Sequence, residues 1–153
     1  MKEAPIPITE IDRMRALHSL NILDTSPEKI YERTTLIAKQ AFNAPMAYIC
    51  FVGTCRVWFK SAQGVDIPEI GRDISICGHA INQIITDDHA SRLFEITDTK
   101  SDSRFIDNPL VINAPKVRYY MAMFYSLSKK KILVRSVLWM QASALQMKMI
   151  KTF

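Results

Sequence analysis

Residues 46–61 read MAYICFVGTCRVWFKS, and this stretch decides the fold class. Its first seven residues form a continuous apolar run with aromatic and β-branched members, which is typical of a central strand. Residues 53–56 supply a turn, and residues 57–61 follow as a second strand. The two strands form a hairpin, so the sheet is antiparallel at this point.

Two helices are predicted before the hairpin. The first spans residues 9–20, with Arg13 and Arg15 facing away from its apolar stripe. That stripe comprises Ile11, Met14, Ala16, Leu17 and Leu20. The second helix begins near Pro27 and runs to about residue 42. Its predicted buried side comprises Ile30, Thr34, Ile37, Ala38 and Ala41.

The remaining elements are shorter. Residues 64–75 are loop-like, residues 75–85 turn from a loop into a short helix, and residues 94–96 form a short strand. Residues 97–115 are rich in turn formers, and another strand begins at residues 117–120. Hairpin pairing with segregated helices predicts an α+β fold with a mostly antiparallel sheet.

The charge of the chain is divided unevenly along its length. The 153 residues, 17.5 kDa in mass, carry a net charge of +5. Residues 1–107 hold all 15 acidic residues, whereas residues 108–153 contain basic residues and no acid. The basic excess therefore belongs to the tail, where it forms no dense patch, and we expect neither nucleic-acid nor membrane binding.

Apolar runs and cysteine usage lead us to expect a cytoplasmic protein. No run of 18 apolar residues and no signal-peptide pattern occurs. The three cysteines, Cys50, Cys55 and Cys77, form an odd set without a secretory signal, which indicates reduced thiols. Cys50 is predicted to be an inert core thiol and Cys55 an exposed turn residue.

Several ordered motifs resemble one known family. They are LNILDTSPE at 20–28, WFKS at 58–61 with Gly64, RDISICGHAI at 72–81, Asp98, Arg104-Phe105, DNPLV at 107–111 and Tyr119-Tyr120. Together they cover residues 8–120 and resemble a GAF domain of the bacterial signalling type, found at the sensory end of diguanylate cyclases and histidine kinases. The acidic residue that the family usually has after the first strand is replaced by Gly53.

The resemblance implies a central antiparallel sheet with helices on one face and a ligand cavity on the other. It implies a sensor that binds a small molecule or dimerises through helix 9–20, regulating an output domain that this chain lacks. No enzyme activity, metal or identified cofactor is implied. The candidate ligand-binding residues are Trp58, Lys60, Arg72, Ser75, Cys77, His79, Asp98 and Tyr120.

Alternatives remain open at several of these positions. On a strand, Trp58 and Lys60 face one side and Phe59 and Ser61 the other, so one pair faces the helices and the other the cavity. Arg72 pairs either with an anionic ligand or with Asp73 or Asp98. Cys77 and His79 form a Cys-x-His pair that lines the cavity, packs beneath the loop, or supplies a reactive thiol or two metal ligands. Asp98, Asp102 and Asp107 fit turn and cap hydrogen bonds better than acid–base chemistry.

Two rival functions accompany the sensor hypothesis. A few GAF domains reduce free methionine sulfoxide with an attacking and a resolving thiol. In this chain only Cys77 is a good candidate, with Cys50 and Cys55 expected elsewhere. The other rival is a dimerisation module without a ligand.

The tail departs from the family after the tyrosines. The expected strand Gly-Thr-Leu-Cys-Val-x-Asp is absent, so residues 1–120 are assigned to the domain and residues 121–153 to an aberrant basic tail. In the frame that starts at each third codon base, Trp139-Met140 forces aspartate and Met140-Gln141 forces alanine, and residues 133–141 can encode Gly-Thr-Leu-Cys-Val-Met-Asp-Ala-Ser. The tail is therefore predicted to be out of frame, the last core strand to be missing or replaced, and the chain to be a fragment.

Overall fold

The computed structural model describes residues 2–86, 93–128 and 131–140. Its helices are α1 (Glu10–Ser19), α2 (Lys29–Ala41), α3 (Ile76–Thr86) and α4 (Pro109–Ile112). Its strands are β1 (Met46–Val52), β2 (Arg56–Gln63), β3 (Glu69–Gly71), β4 (Leu93–Ile96), β5 (Tyr119–Ser128) and β6 (Lys131–Met140). The α+β class is confirmed. No helix in these ranges is long and apolar enough to cross a membrane.

The described strands form one antiparallel sheet in the order β3-β2-β1-β6-β5-β4. β6 lies between β1 and β5, in register from Met46 opposite Trp139 and from Tyr119 opposite Met140. The sheet position that was expected to be missing or replaced is thus filled by residues of the tail. β5 runs continuously past residue 120, and its residues 121, 122 and 124 are buried.

Two elements were not predicted. β3 lies within the stretch expected to be a loop and pairs with β2 from Arg56 opposite Gly71 to Trp58 opposite Glu69. α4 lies within the stretch expected to be irregular, and the Asn108 side chain accepts a hydrogen bond from Leu110 N. Both elements are too short for a hydrophobic period to reveal them.

Alternation along β1 divides the core between the two faces of the sheet. Ile49 and Phe51 pack with Leu17 and Trp58 on the face that α1 and α2 cover. Tyr48, Cys50 and Val52 belong to the larger cluster on the other face, together with the start of α3. The predicted arrangement is confirmed, with α3 and α4 added on the cavity side.

The prediction that Arg13 faces away from the core is wrong. Arg13 is 2% exposed, and its guanidinium donates to Val52 O at 2.6 Å and to the Glu10 carboxylate at 2.7 and 2.8 Å. Ile11, assigned to the buried stripe, is 69% exposed instead. A hydrophobic stripe misses this arrangement because an arginine whose three guanidinium nitrogens all have acceptors can be buried in place of an apolar side chain.

The predicted buried side of α2 is also wrong. Ile30 and Ile37 are each 65% exposed, whereas Thr35 is buried and its hydroxyl lies 2.9 Å from the Ser61 hydroxyl. The helix therefore presents a polar contact to β2 and apolar side chains to its outer surface. The apolar pattern alone places the buried face one residue out of register.

Candidate functional site

A cavity of about 430 Å³ lies between the sheet and the loops that precede α3 and follow α4. Its volume suits a small molecule, since ligand pockets span about 300–1,000 Å³. Its lining comprises Met46, Tyr48, Phe59, Gly64, Val65, Asp66, Ile67, Ile70, Ser75, Ile76, Leu110, Ala114, Pro115, Val117 and Tyr120. The cavity lies on the sheet face opposite α1 and α2, as the resemblance implied.

The lining is mostly apolar and carries a few polar groups. Ser75, Tyr48 and Tyr120 supply hydroxyls, and the exposed Asp66 supplies a carboxylate. No lysine or arginine occurs among the described residues that line the cavity. The lining itself therefore offers no side-chain cation to a phosphate or carboxylate group, and the Lys39 ammonium beside Gly64 is a cation close to it.

Two of the eight candidate residues, Ser75 and Tyr120, line the cavity, and the structure brings them together with Tyr48 and Phe59. Tyr48 and Phe59 were not among the eight candidate residues. In the structure they lie side by side in the lining, with ring centroids 4.8 Å apart. The signal was available for Tyr48, because it alternates with Cys50 along β1. For Phe59 the signal depends on the pairing register of β1 with β2, which the sequence does not show.

Alternation along β2 places Trp58 and Lys60 on the face opposite Phe59. A β-bulge brings Ser61, expected on the same face as Phe59, to the helix face as well. The register passes from Cys50 opposite Phe59 to Ile49 opposite Ser61, which leaves Lys60 as the extra residue. Trp58 stacks near Phe51 on the helix face, with ring centroids 6.3 Å apart. Of the two alternatives, Phe59 therefore faces the cavity, whereas Ser61 bonds to α2.

Lys60 ties the loop before α2 to the sheet. Its buried ammonium donates to Thr25 Oγ1 at 2.6 Å, to Ser26 O at 2.7 Å and to Glu28 Oε1 at 2.7 Å. It also lies 5.3 Å from the centroid of the Tyr31 ring. Residues 24–28 thus supply the acceptors for the buried Lys60 ammonium of β2. The turn residues of this motif did not predict that contact.

Arg72 also has a structural partner that the sequence did not indicate. Its guanidinium pairs with the Glu10 carboxylate on α1, and the same nitrogen donates to Gly53 O at 3.0 Å. Of the two alternatives for Arg72, an anionic ligand or an aspartate, the aspartate partners Asp73 and Asp98 are wrong, because Glu10 is the carboxylate that it contacts. Partial burial raises the pKa of Glu10, but hydrogen bonds from Arg13 and Arg72 outweigh it and lower that pKa from 4.5 to about 2. The cluster joins α1 to the β1–β2 turn.

Cys77 lies at the start of α3, directly behind the cavity wall. Tyr120 donates its hydroxyl to Cys77 Sγ at 3.2 Å, and the Tyr48 hydroxyl lies 3.9 Å from the same sulfur. Cys50 Sγ lies 3.9 Å from Cys77 Sγ, so the expectation that Cys50 lies elsewhere is wrong. Both thiols are buried, whereas Cys55 is exposed as predicted.

The pKa values of the two thiols are shifted in opposite directions. Hydrogen bonds, first that from Cys50 and then those involving Ser75 and the two tyrosines, lower the pKa of Cys77 to about 7 against its burial. Burial raises the pKa of Cys50, and its hydrogen bond to Cys77 raises it further. Cys77 is therefore the more acidic thiol of the pair.

His79 and Asp98 have structural contacts away from the cavity. His79 Nε2 lies 2.9 Å from Lys2 O, its ring packs edge-on against Phe105 at 4.8 Å, and burial lowers its pKa. Asp98 accepts hydrogen bonds from Lys100 N at 3.0 Å and Ser101 Oγ at 2.7 Å in an exposed turn. Within the described ranges, no three histidine, cysteine or acidic side chains form a metal-binding group.

Comparisons with known proteins agree with this geometry. No family model matches the chain. It is 31% identical over 120 residues to a cyclic di-GMP phosphodiesterase of Pseudomonas aeruginosa, and the match covers 78% of the chain but 19% of that protein. The phycocyanobilin-bound GAF domain of a cyanobacterial phytochrome superposes with a TM-score of 0.51 at 10% identity, covering 92% of this chain and 87% of the other.

Proposed function

The chain is a GAF-fold domain, and from that premise we propose that it is a cytoplasmic regulatory domain that binds a small molecule and controls a signalling output. The observation that carries the proposal is the cavity of about 430 Å³ on the sheet face opposite α1 and α2, the face on which the resemblance expects a ligand cavity. The match to a cyclic di-GMP phosphodiesterase, which covers 19% of that protein, supports a signalling role.

The lining defines the chemistry of the proposed ligand. Apolar side chains surround most of the cavity, and Asp66 is an exposed lining residue. The Ser75 hydroxyl can donate a hydrogen bond to a ligand, whereas the Tyr120 hydroxyl donates to Cys77 and can only accept one. A neutral or cationic molecule with a flat apolar body and one or two polar groups satisfies this lining. Cyclic di-GMP fits this lining less well, because the described residues that line the cavity include no lysine or arginine for its phosphates.

A thermal-shift screen tests the proposal. A ligand at one hundred times its Kd stabilises the folded state by about 2.7 kcal/mol, which raises Tm by about 5–10 °C for a domain of this size. Val65→Trp fills the half-buried cavity rim and should abolish the shift, whereas Ile112→Trp, exposed on α4 outside the lining, should preserve it. If no neutral, cationic or nucleotide compound stabilises the protein, the ligand-free dimerisation module is favoured.

We propose in addition that the chain forms a homodimer through α1. Ile8 is 97% exposed and Ile11 69% exposed. A shallow pocket of about 450 Å³ is lined by Ile11 together with Met14 and His18. Contact with a second copy would cover these apolar side chains. Light scattering during size-exclusion chromatography should show a dimer that Ile11→Glu converts to a monomer and Ile112→Glu does not; a monomeric native chain would contradict the proposal.

The rival enzyme activity has its own test. The proximity of Cys50 to Cys77 supplies a second thiol, which reduction of free methionine sulfoxide requires. A regulatory domain should show no turnover of that substrate with dithiothreitol as reductant. Turnover that is lost in Cys77→Ser would contradict the regulatory proposal.

A further inference from the structure

We propose that Cys50 and Cys77 form an oxidation-sensitive dithiol that closes to a disulfide when a small neutral peroxide enters the cavity. The inference starts from the distance of 3.9 Å between the two sulfurs, one on β1 and the other on α3. A disulfide bond is about 2.05 Å long, so the sulfurs have to approach by about 1.9 Å.

The surroundings of Cys77 favour reaction at this sulfur. Cys77 is the second residue of α3, an 11-residue helix, and its backbone N–H donates to Ser75 Oγ at 3.0 Å. The positive end of that helix and the Tyr120 hydroxyl at 3.2 Å both stabilise a thiolate. Cys50 lies beside it as a protonated thiol.

The cavity supplies the route for the oxidant. Tyr48 and Tyr120 contact the Cys77 sulfur, Ser75 accepts from its backbone N–H, and all three line the cavity, so the sulfur lies directly behind this part of the cavity wall. A neutral oxidant suits this route because the lining is mostly apolar. Hydrogen peroxide has the required size and charge.

The chemistry balances without a further reactant. The Cys77 thiolate attacks one peroxide oxygen, the O–O bond breaks, and the departing hydroxide takes the Cys50 thiol proton to form water. The Cys50 thiolate then attacks the sulfenic sulfur, the S–O bond breaks, and the second hydroxide is protonated by solvent. Two thiols are oxidised by two electrons and one peroxide is reduced to two waters.

Closure changes the cavity that the proposed function requires. Tyr120 loses the sulfur to which its hydroxyl donates, and the contact of Tyr48 with the same sulfur is altered, so the Tyr120 hydroxyl becomes available to donate to a ligand. Only this coupling depends on the proposed ligand site, since disulfide formation is measured without any ligand.

The experiment uses the chain with Cys55→Ser, which removes the exposed thiol. After treatment with hydrogen peroxide at neutral pH, intact mass should show the loss of two hydrogen atoms, and peptide mapping should join Cys50 to Cys77. With Cys50→Ala in addition, the reaction should stop at a sulfenic acid that dimedone traps on Cys77. With Cys77→Ala instead, the folded chain should not react.

Two results would overturn the inference. One is a folded protein that keeps both thiols while the same protein in urea forms the disulfide, because the sulfurs then cannot approach in the fold. The other is trapping at Cys50 instead of Cys77. Circular dichroism of each variant verifies that it is folded before its thiols are assayed.

Discussion

Replacing Glu10 by glutamine should destabilise the domain strongly at neutral pH and weakly in acid. Glu10 is the carboxylate between two arginines of low exposure: it accepts hydrogen bonds from Arg13 at 2.7 and 2.8 Å and also pairs with Arg72. The substitution keeps the shape of the side chain and removes its charge. It leaves Arg13 and Arg72 without their anionic partner in a region largely withdrawn from water.

The pKa of Glu10 sets the magnitude. That pKa falls from 4.5 to about 2 in the folded protein. At about 1.36 kcal/mol for each pKa unit the full linkage is about 3.4 kcal/mol, and solvent screening of the partly exposed carboxylate reduces it to about 2 kcal/mol. Because the folded pKa is depressed, this stabilisation is complete above pH 4.5 and is lost as the pH falls toward 2.

Urea unfolding at pH 7 and pH 3 measures the effect. Glu10→Gln should lower the free energy of unfolding by about 2 kcal/mol at pH 7 and by less than about 1 kcal/mol at pH 3. Asp12→Asn on the same helix is the matched control, since its pair with Arg15 is 3.4 Å long and exposed, and it should cost less than about 0.5 kcal/mol. Equal losses at the two pH values, or equal losses in the two variants, would refute the reasoning.

Further predictions concern the cavity, the loop before α2, the thiol pair and the tail. Phe59→Ala should lower the free energy of unfolding by about 3–4 kcal/mol in urea titrations, because it enlarges the cavity and removes the contact with Tyr48; a loss below about 1 kcal/mol would contradict the buried position of the ring. Lys60→Met should cost about 1–3 kcal/mol by the same measurement, since Ser26 O loses its buried donor, and an unchanged midpoint would show that the ammonium does not hold the loop. Tyr120→Phe should raise the pKa of Cys77 above about 7, since a donor to the thiolate is lost; ultraviolet titration of thiolate absorbance in Cys55→Ser checks this, and an unchanged titration would remove the tyrosine from the account. Resequencing the gene across codons 120–140 tests the frame hypothesis, which expects the family strand in another frame and fails if close relatives share the present frame.

The sequence predicted the elements that show a continuous apolar run or a helical period of apolar residues. The run MAYICFV at 46–52 coincides with β1, and the helix 9–20 with α1 to within one residue at each end. It did not predict orientations that depend on tertiary pairing. The bulge at Lys60 turns Ser61 to the helix face of the sheet. The pairing of Arg72 with Glu10, which is distant in the chain, directs this candidate residue toward α1.

The candidate site was predicted in its location more than in its residues. Ser75 and Tyr120 line the cavity; alternation with Cys50 along β1 could have indicated Tyr48, but Phe59 emerges only from the register of β1 with β2. The approach of Cys50 to Cys77 joins a strand to a helix across 27 residues of chain, and no local pattern encodes it. Contacts between residues that are far apart in the chain depend on the packing of the whole fold, so the local sequence pattern around either residue does not predict them.

The most direct test of the central claim, that the cavity binds a small molecule, is a nuclear magnetic resonance titration of methyl-labelled protein with a compound from the thermal screen. The account predicts concentration-dependent shifts at the cavity methyls of Ile70, Leu110 and Val117, and unchanged signals from Ile30 and Ile37 on α2. Shifts confined to the α2 methyls, or none at the cavity methyls at saturating ligand, would contradict it.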